Sequence, residues 1–368
     1  MIIQSIELNN FRNYENLQIS FDEGTNILFG DNAQGKTNIL EAAYLSGTTK
    51  SHKGSKDKEM IRFGTNEAHL RTMVLKKGKQ YQIDMHLKHN RSKGIAVNKI
   101  PMKKASELFG ILNIVFFSPE DLNIIKNGPS ERRHFLDAEL CQLDKIYLSD
   151  LSNYNKILNQ RNKLLKDMVY RPELSDTLPV WDMQLADTGK KIIRRREQFV
   201  KELNELVHEI HYRISGGREE LFLSYEPSVS ADLLEQELER VKPRDLKQCQ
   251  TSVGPHRDDL LFSIAGVDIR KFGSQGQQRT SALSLKLSEI ELVRKSIHDT
   301  PVLLLDDVLS ELDSNRQNYL LNSICDTQTI ITCTGLDEFI RNRFEINKVF
   351  EVISGQVFEK GQVIERQG

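Results

Sequence analysis

Two separated segments constrain the fold of this chain more than any other feature. Residues 30–37 (GDNAQGKT) have the G-x-x-x-x-G-K-[ST] form of a phosphate-binding loop, and the short apolar run 26–29 precedes them. Residues 301–313 (PVLLLDDVLSELD) read as an apolar strand followed by paired carboxylates. An acid at the end of such a strand holds Mg²⁺ beside a phosphate-binding loop. Together the two segments predict an α/β core that binds a nucleoside triphosphate.

The residue types of the loop fit this chemistry. Gly30 and Gly35 permit a tight turn and close approach of the backbone to phosphate. Lys36 is expected to reach the β- and γ-phosphates, and Thr37 to offer its hydroxyl to Mg²⁺. The remaining positions expected to face the nucleotide are Asp31, Asn32, Ala33 and Gln34. A surface loop that matches the pattern by chance is the alternative, but it leaves the flanking strand and helix unexplained.

The two acids of the second segment have different expected roles. Asp306 lies where a carboxylate bound to Mg²⁺ is expected. Asp307 would orient or deprotonate the attacking water, so we interpret Asp307 and Lys36 as the catalytic pair. The alternative is a buried strand that ends in two solvated acids.

Composition excludes several other classes of protein. Of 368 residues, 38% are apolar and 28% are charged, as in ordinary globular proteins. No apolar run approaches the roughly 18 residues of a membrane span, and no signal peptide is evident. Four cysteines are scattered singly, which argues against a zinc site or a disulfide framework. We therefore expect a cytoplasmic protein without a membrane partner. Because the net charge is only -1, any nucleic-acid contact requires a local basic face.

The middle of the chain has the periodicity of amphipathic helices. From residue 130 onwards, apolar residues recur at three- and four-residue spacing until the Gly216-Gly217 pair. We predict two antiparallel helices in a helical insert at 130–215, with 1–129 and 216–368 forming one composite head. The first helix is either continuous over 131–168 or broken in two. The run Arg194-Arg195-Arg196 predicts a solvated helix face.

A third segment, residues 273–279 (GSQGQQR), precedes another predicted helix. A glycine and a hydroxyl at a helix N-terminus form a second anion-binding end. Because the chain already has one phosphate-binding loop, we interpret Ser274, Gly276 and Gln277 as contacting nucleotide held by a second copy, in a head-to-tail homodimer. The alternative is an ordinary capped helix.

The order of these segments resembles that of ABC-type ATPases, and Asn10-Phe11-Arg12-Asn13 resembles the first loop of the SMC branch. More specific segments are similar to the RecF family of bacterial DNA repair proteins: FFSPEDL at 116–122, SERRHFLD at 130–137 and GPHRDDL at 254–260. The resemblance covers nearly the whole chain. It implies an ABC-type ATPase head, with a mixed sheet around the P-loop core, plus a helical second lobe.

The resemblance also implies a function. A member of this family binds ATP and Mg²⁺, forms a homodimer around ATP, hydrolyses ATP slowly as a switch, and binds single-stranded, gapped or duplex DNA. It acts in DNA replication, recombinational repair and the SOS response, and with RecO and RecR promotes RecA loading at gaps. Asp313 is then expected to join the trans contacts, and Arg12 to sense the γ-phosphate. An arginine in an exposed turn is the alternative for Arg12.

Three departures from the wider ABC class bear on the mechanism. Asp307 stands where a glutamate is usual, and its shorter side chain predicts slow hydrolysis. Thr332 or Thr334 stands where transporters have a switch histidine. Residues 118–120 (Ser-Pro-Glu) occupy the place of the glutamine loop, which leaves the metal contact of that loop open.

Two lysine-rich stretches are candidates for DNA contact. The candidate residues are Lys53, Lys56, Lys93 and Lys103, which could face DNA phosphates. The alternative is that lysines on strand edges only prevent aggregation.

Two other functions use a phosphate-binding loop. The ATPase subunit of an ABC transporter usually has its signature much closer to the loop, whereas more than 200 residues separate Thr37 from Ser274 here. A small-molecule kinase has no use for the Ser274 helix.

Overall fold

The computed structural model describes residues 1–336 and 346–360. By its internal contacts the chain divides into two compact units, Met1–Asp121 with Glu289–Gly368, and Leu122–Ser288. In the described part of the chain, none of the helices combines the length and the apolar character that a bilayer crossing requires.

The strands are, in chain order, β1 (Ile2–Phe11), β2 (Tyr14–Ser20), β3 (Thr25–Phe29), β4 (Glu67–Lys76), β5 (Lys79–Lys88), β6 (Arg91–Val97), β7 (Ile100–Pro101), β8 (Ile114–Phe117), β9 (Leu221–Glu226), β10 (Asp259–Ile264), β11 (Val267–Asp268), β12 (Val302–Asp306), β13 (Thr329–Cys333), β14 (Lys348–Ile353) and β15 (Gln356–Lys360). The helices are α1 (Lys36–Thr48), α2 (Leu122–Lys126), α3 (Pro129–Leu143), α4 (Lys145–Asp167), α5 (Leu178–Ile214), α6 (Leu234–Gln248), α7 (Ile269–Phe272), α8 (Gln275–Ile297) and α9 (Ser314–Ser323).

One sheet of the first unit is antiparallel, in the order β2-β1-β4-β5-β6-β7. Leu8 of β1 pairs with Leu17 and with Leu70, and all three face the core side, as a period of two requires. Lys77 and Gly78 have φ of 47° and 74°, which is the backbone of a two-residue hairpin turn between β4 and β5.

The second sheet has the order β15-β14-β3-β13-β12-β8 and is parallel except for the terminal β15. Helix α1 directly follows β3, and its residues Ile39 and Leu40 share one apolar core with Ile6 of β1 and Leu304 of β12. The helix therefore lies between the two sheets. Because carboxyl ends of parallel strands meet at one edge, the loop after β3 and the acids after β12 come together there.

The second unit is built around the long helix α5, whose 37 residues span about 55 Å. Asp144 pairs with Arg195, and Arg161 pairs with Asp182, so α4 and α5 run antiparallel as predicted. The chain preceding α5 is broken into α3 and α4. The break lies at Asp144, whose carboxylate accepts hydrogen bonds from the first backbone N–H groups of α4.

The prediction that Arg194, Arg195 and Arg196 share a solvated face is wrong for Arg196. Its side chain is buried, with Nη2 2.7 Å from Asp137 and Nη1 2.7 Å from the carbonyl oxygen of Pro255. Arginine tolerates this burial because its planar fork finds several acceptors at once.

The division into units also differs from the predicted boundaries, since residues 216–288 group with the helices. Strand β9 packs against α5 and pairs with β10. Arg132 of α3 then makes a bidentate ion pair with Asp259 of β10 (2.6 and 3.0 Å). The chain after α5 thus shares its core with the helical insert.

Candidate nucleotide-binding site

The loop between β3 and α1 has a backbone that requires its glycines. Gly30 and Gly35 have φ of 146° and 117°, and Ala33 between them has φ of 64°. A Cβ at Gly30 would lie 2.4 Å from the carbonyl oxygen of Val352, and one at Gly35 would lie 2.5 Å from Asn13 Nδ2. Both positions are therefore restricted to glycine by conformation and by space. A surface loop that matched the motif by chance would not require glycine at both of these positions.

Lys36 lies across the loop that it follows. Its ammonium group donates to the carbonyl oxygens of Gly30 and of Asp31, the latter at 2.7 Å. Burial lowers the pKa of Lys36, while the nearby carboxylates of Asp307 and Asp306 favour the charged form. A polyphosphate would supply the opposite charge that this buried ammonium group requires.

Asp306 is the polar centre of the edge where β3, β13 and β12 end. Its Oδ1 accepts hydrogen bonds from Thr37 Oγ1 (2.8 Å) and from Thr332 Oγ1 (2.7 Å). The structure thus brings together the hydroxyl and the carboxylate that the sequence assigned to Mg²⁺. The described residues contain no group of three or more metal-binding His, Cys, Asp or Glu side chains. This donor set fits Mg²⁺, which takes few protein oxygens and completes its shell with phosphate and water.

Asp307 is held beside Asp306 by its backbone. It has φ of 52°, and its N–H donates to Thr332 Oγ1 (3.0 Å) and to the carbonyl oxygen of Thr332 (3.2 Å). Burial raises the pKa of Asp307, and the charge of Asp306 raises it further. A carboxylate with a raised pKa is a stronger base toward water than an ordinary aspartate.

A cavity of about 400 Å³ opens over these groups. Residues 32–38 line it together with Asp306, Asp307 and Thr332, and residues 118–120 line it at the place predicted for the glutamine loop. This volume lies within the range of small-molecule sites. Of the two candidates for the switch position, Thr332 is in the cavity wall, whereas Thr334 is exposed.

His52 and Lys53 also line the cavity. The sequence did not single out His52, since a lone histidine carries no motif. Its ring stacks on Phe116 with centroids 4.1 Å apart, and burial lowers the pKa of His52 to about 4. The ring is therefore neutral at physiological pH and is part of the cavity wall. Because Lys53 lines the cavity, its charge could contact a nucleotide phosphate rather than a DNA phosphate.

Arg12 does not line this cavity. Its guanidinium group makes two 2.7 Å bonds to the buried carboxylate of Glu41 and further 2.7 Å bonds to Ser55 Oγ and the carbonyl oxygen of Glu59. Arg12 thus fastens the segment after α1 to the helix. Sensing of the γ-phosphate by Arg12 stays a prediction.

The residues predicted to act in trans lie at two helix starts. Ser274 Oγ accepts from the N–H of Gln277 (3.1 Å), and Gln277 Oε1 accepts from the N–H of Ser274 (2.9 Å), so both residues cap α8, with Gly276 in its first turn. Asp313 caps α9 by accepting from the N–H of Arg316 (3.0 Å). Both caps are exposed, and their contact with a second copy stays a prediction.

The candidate DNA-binding lysines differ in their surroundings. Lys93 pairs with Asp57 at 2.7 Å and donates to the carbonyl oxygen of Thr49, so its charge is already used within the fold. Lys53, Lys56 and Lys103 are exposed. Of the four candidates, these three are placed to meet an external phosphate without breaking a described ion pair, and Lys53 also lines the cavity.

A family model described as the RecF/RecN/SMC N terminal domain matches residues 2–356 of the chain. A protein of Agathobacter rectalis named DNA replication and repair protein RecF is 74% identical over 97% of this chain and 99% of its own length. The chain belongs to the RecF family. Family members of the same name from Lachnospira eligens and Lachnoclostridium phytofermentans are 62% and 59% identical, over 97% and 98% of this chain and 99% and 100% of their own.

Solved structures agree with this family membership. The chain is similar to the recombination mediator protein RecF solved with ATP, at 38% identity and a TM-score of 0.91, over 98% of this chain and 97% of that one. The Smc head domain from Pyrococcus furiosus has a TM-score of 0.57 at 18% identity, over 97% of this chain and 96% of its own, and shows the fold alone. The predicted α/β ATPase head of the SMC and RecF class is confirmed.

Proposed function

We propose that the chain is an ATP-dependent DNA-binding protein of replication and recombinational repair, which works as an ATP-driven dimer. The single observation that carries the proposal is that the hydroxyl groups of Thr37 and Thr332 both donate to Oδ1 of Asp306 beside the glycine-restricted loop. Membership of the RecF family, whose relatives are named DNA replication and repair proteins, supplies the biological setting.

The proposed mechanism assigns each group of the site one task. The backbone N–H groups of residues 32–37 and the ammonium group of Lys36 would hold the phosphates, because these residues line the cavity at the start of α1. Thr37 and Asp306 offer oxygen ligands to Mg²⁺, which when bound neutralises charge on the β- and γ-phosphates. Asp307 accepts a proton from the attacking water. Its short side chain keeps turnover slow, as a switch requires.

We further propose that ATP links two copies of the chain. Each nucleotide would be held by one protomer's loop and capped by Ser274, Gly276, Gln277 and Asp313 of the other. A ligand that touches both protomers favours the dimer by its differential affinity for that state. The exposed Ser274 cap at the start of α8 supports this assignment.

Two variants test the nucleotide step and the dimer step separately. Lys36→Arg should weaken ATP binding or turnover, whereas Lys58→Arg, at an exposed lysine outside the cavity, should not. Ser274→Arg should leave ATP binding by the monomer intact and abolish dimerisation in sedimentation with ATP. Ser175→Arg, at an exposed serine, is its matched control. Equal dimerisation of the Ser274 variant would refute the trans contact.

DNA binding is proposed for the ATP-bound dimer. Filter binding to single-stranded, gapped and duplex DNA across salt should show ATP-dependent affinity, and each lost phosphate contact should lower the log–log salt slope by about 0.7 to 0.9. Lys56→Ala and Lys103→Ala should lower it, while the exposed Lys166→Ala of α4 should not. An affinity that is independent of ATP would contradict the switch.

The same proposal places the chain with RecO and RecR in promoting RecA loading at gaps, in the cytoplasm and in the SOS response. It is supported by the solved relatives, which are described as the recombination mediator protein RecF of the RecFOR pathway. RecA binding to gapped DNA should rise when the chain is added with RecO and RecR. The alternative function, an ABC transporter subunit, is not favoured, because the similar curated proteins are DNA repair proteins.

A further inference from the structure

Two carbonyl groups of the phosphate-binding loop accept hydrogen bonds from the side chains of Asn13 and Tyr14, where β2 begins. Asn13 Nδ2 donates to the carbonyl oxygen of Gln34 (3.0 Å), and Tyr14 Oη donates to that of Gly35 (3.1 Å). Each carbonyl also accepts from a backbone N–H: that of Gln34 from Gly355 in the turn between β14 and β15 (3.2 Å), and that of Gly35 from Asn38 in α1 (2.9 Å). Because the two carbonyls are consecutive, two neighbouring peptide planes are fixed.

The orientation of these planes decides where their N–H groups point. A trans peptide is planar, with its C=O and N–H on opposite sides. A Gln34 carbonyl directed at Asn13 therefore turns the Gly35 N–H away from Asn13. A Gly35 carbonyl directed at Tyr14 likewise turns the Lys36 N–H away from Tyr14. Gly35 and Lys36 line the cavity, at the helix start where N–H donors meet an anion.

The two side chains are themselves fixed in place. Asn38 Nδ2 donates to Asn13 Oδ1 (2.8 Å), which sets the orientation of the Asn13 amide. Tyr14 is fully buried, and burial raises the pKa of its phenol, so the hydroxyl group stays a donor at physiological pH. Neither Asn13 nor Tyr14 lines the cavity, so Tyr14 acts on nucleotide through the loop backbone, whereas Asn13 also contacts the side chain of Asn38, which lines the cavity.

We propose that Asn13 and Tyr14 are positioning residues for ATP, which aim the N–H groups of Gly35 and Lys36 at the phosphates by holding the preceding carbonyls. The inference rests on the proposed ATP binding of this loop. It assigns a use to the Asn13-Tyr14 pair that differs from that of Arg12, whose bonds go to Glu41 and the segment after α1.

Tyr14→Phe tests the inference, because it removes only the hydroxyl group. The Kd for MgATP and MgADP should rise by roughly threefold to tenfold, the effect of one lost hydrogen bond. Tyr81→Phe, at a half-buried tyrosine outside the loop, should leave both Kd values unchanged. Amide exchange of a peptide containing Gly35 and Lys36, measured with MgADP at saturation, should be faster in Tyr14→Phe than in the control.

Wild-type binding of MgATP is measured first, and its absence would overturn the proposed function itself. If the wild type binds, unchanged Kd values and unchanged loop exchange in Tyr14→Phe would overturn the inference alone. Should Tyr14→Phe not fold, Asn13→Leu replaces it, because the Asn13 bond to the loop is exposed. Wild-type affinity in Asn13→Leu would then overturn the positioning role, and a threefold to tenfold loss together with faster exchange of the peptide that contains Gly35 and Lys36 would support it.

Discussion

Thr332→Val removes one hydroxyl group from the centre of the site and keeps the shape of the side chain. Thr332 is 2% exposed in β13, at the wall of the cavity. Its Oγ1 donates to Asp306 (2.7 Å) and accepts from the N–H of Asp307 (3.0 Å). Asp306 would keep Thr37 as a donor, and the Asp307 N–H would keep the Thr332 carbonyl as an acceptor.

The magnitude follows from these bonds. A hydrogen bond to a carboxylate contributes about 1.5–3 kcal/mol, and the bond from Asp307 about 0.5 kcal/mol, since a second acceptor remains. The added buried methyl group of valine returns about 0.8 kcal/mol. We therefore expect the free energy of unfolding to fall by about 1–3 kcal/mol. MgATP turnover should also fall, because Asp306 loses one of the two donors that orient it.

Urea unfolding followed by far-UV circular dichroism measures the loss. Fluorescence is unsuitable because the single tryptophan, Trp181, lies in α5 of the second unit. Thr329→Val is the matched control: Thr329 is buried in the same strand, but its hydroxyl group donates only to the Thr327 carbonyl. A Thr332→Val loss no larger than that of Thr329→Val, with full turnover, would refute the reasoning.

Three further outcomes follow from buried charge. Burial and the charge of Asp306 raise the pKa of Asp307, so ionisation of Asp307 opposes folding once the pH rises above 3.8, the ordinary pKa of aspartate. Asp307→Asn should therefore lose turnover, yet its urea midpoint at pH 7 should be higher than that of wild type. Below pH 3.8 the two urea midpoints should be equal. Burial lowers the pKa of His52 from 6.5 to about 4, so its protonation opposes folding as pH falls through that window. His256 has the same shift, so both wild type and His52→Gln should lose stability between pH 7 and 4.5, but wild type should lose about 2 kcal/mol more, as urea midpoints at the two pH values will show. Arg196→Met should lower the free energy of unfolding by about 3–5 kcal/mol, because the buried Asp258 loses its cationic partner and keeps only the neutral donors Tyr225 and Ser228. An unchanged urea midpoint would contradict this.

The parts of the fold that local chemistry determines were predictable from the sequence. The strand before Gly30, the helix after Gly35 and the strand before Asp306 are all present, because a glycine loop and a pair of acids carry their own structural context. Their meeting at one sheet edge follows from parallel strands. The family resemblance, stated from the motifs, is confirmed by relatives that match nearly the whole chain.

Contacts between distant residues were not predictable in the same way. The sequence around Arg12 is also compatible with an exposed turn, but Arg12 pairs with Glu41. The run of three arginines predicts a solvated face, but Arg196 pairs with Asp137. His52 carries no motif and lines the cavity because the segment after α1 returns over Phe116. In each case the decisive partner lies far along the chain, where spacing and periodicity give no signal.

The cap of α8 allows the trans contact to be separated from helix stability. Ser274 Oγ accepts from the Gln277 N–H, so the hydroxyl hydrogen of Ser274 is left to donate to a partner's phosphate. Ser274→Asp keeps a capping oxygen of similar strength but replaces that donor with a negative charge. The free energy of unfolding should change by less than about 0.5 kcal/mol, while dimerisation with ATP should be lost. Dimerisation of Ser274→Asp at the wild-type ATP concentration would mean that α8 does not face the nucleotide of a second copy.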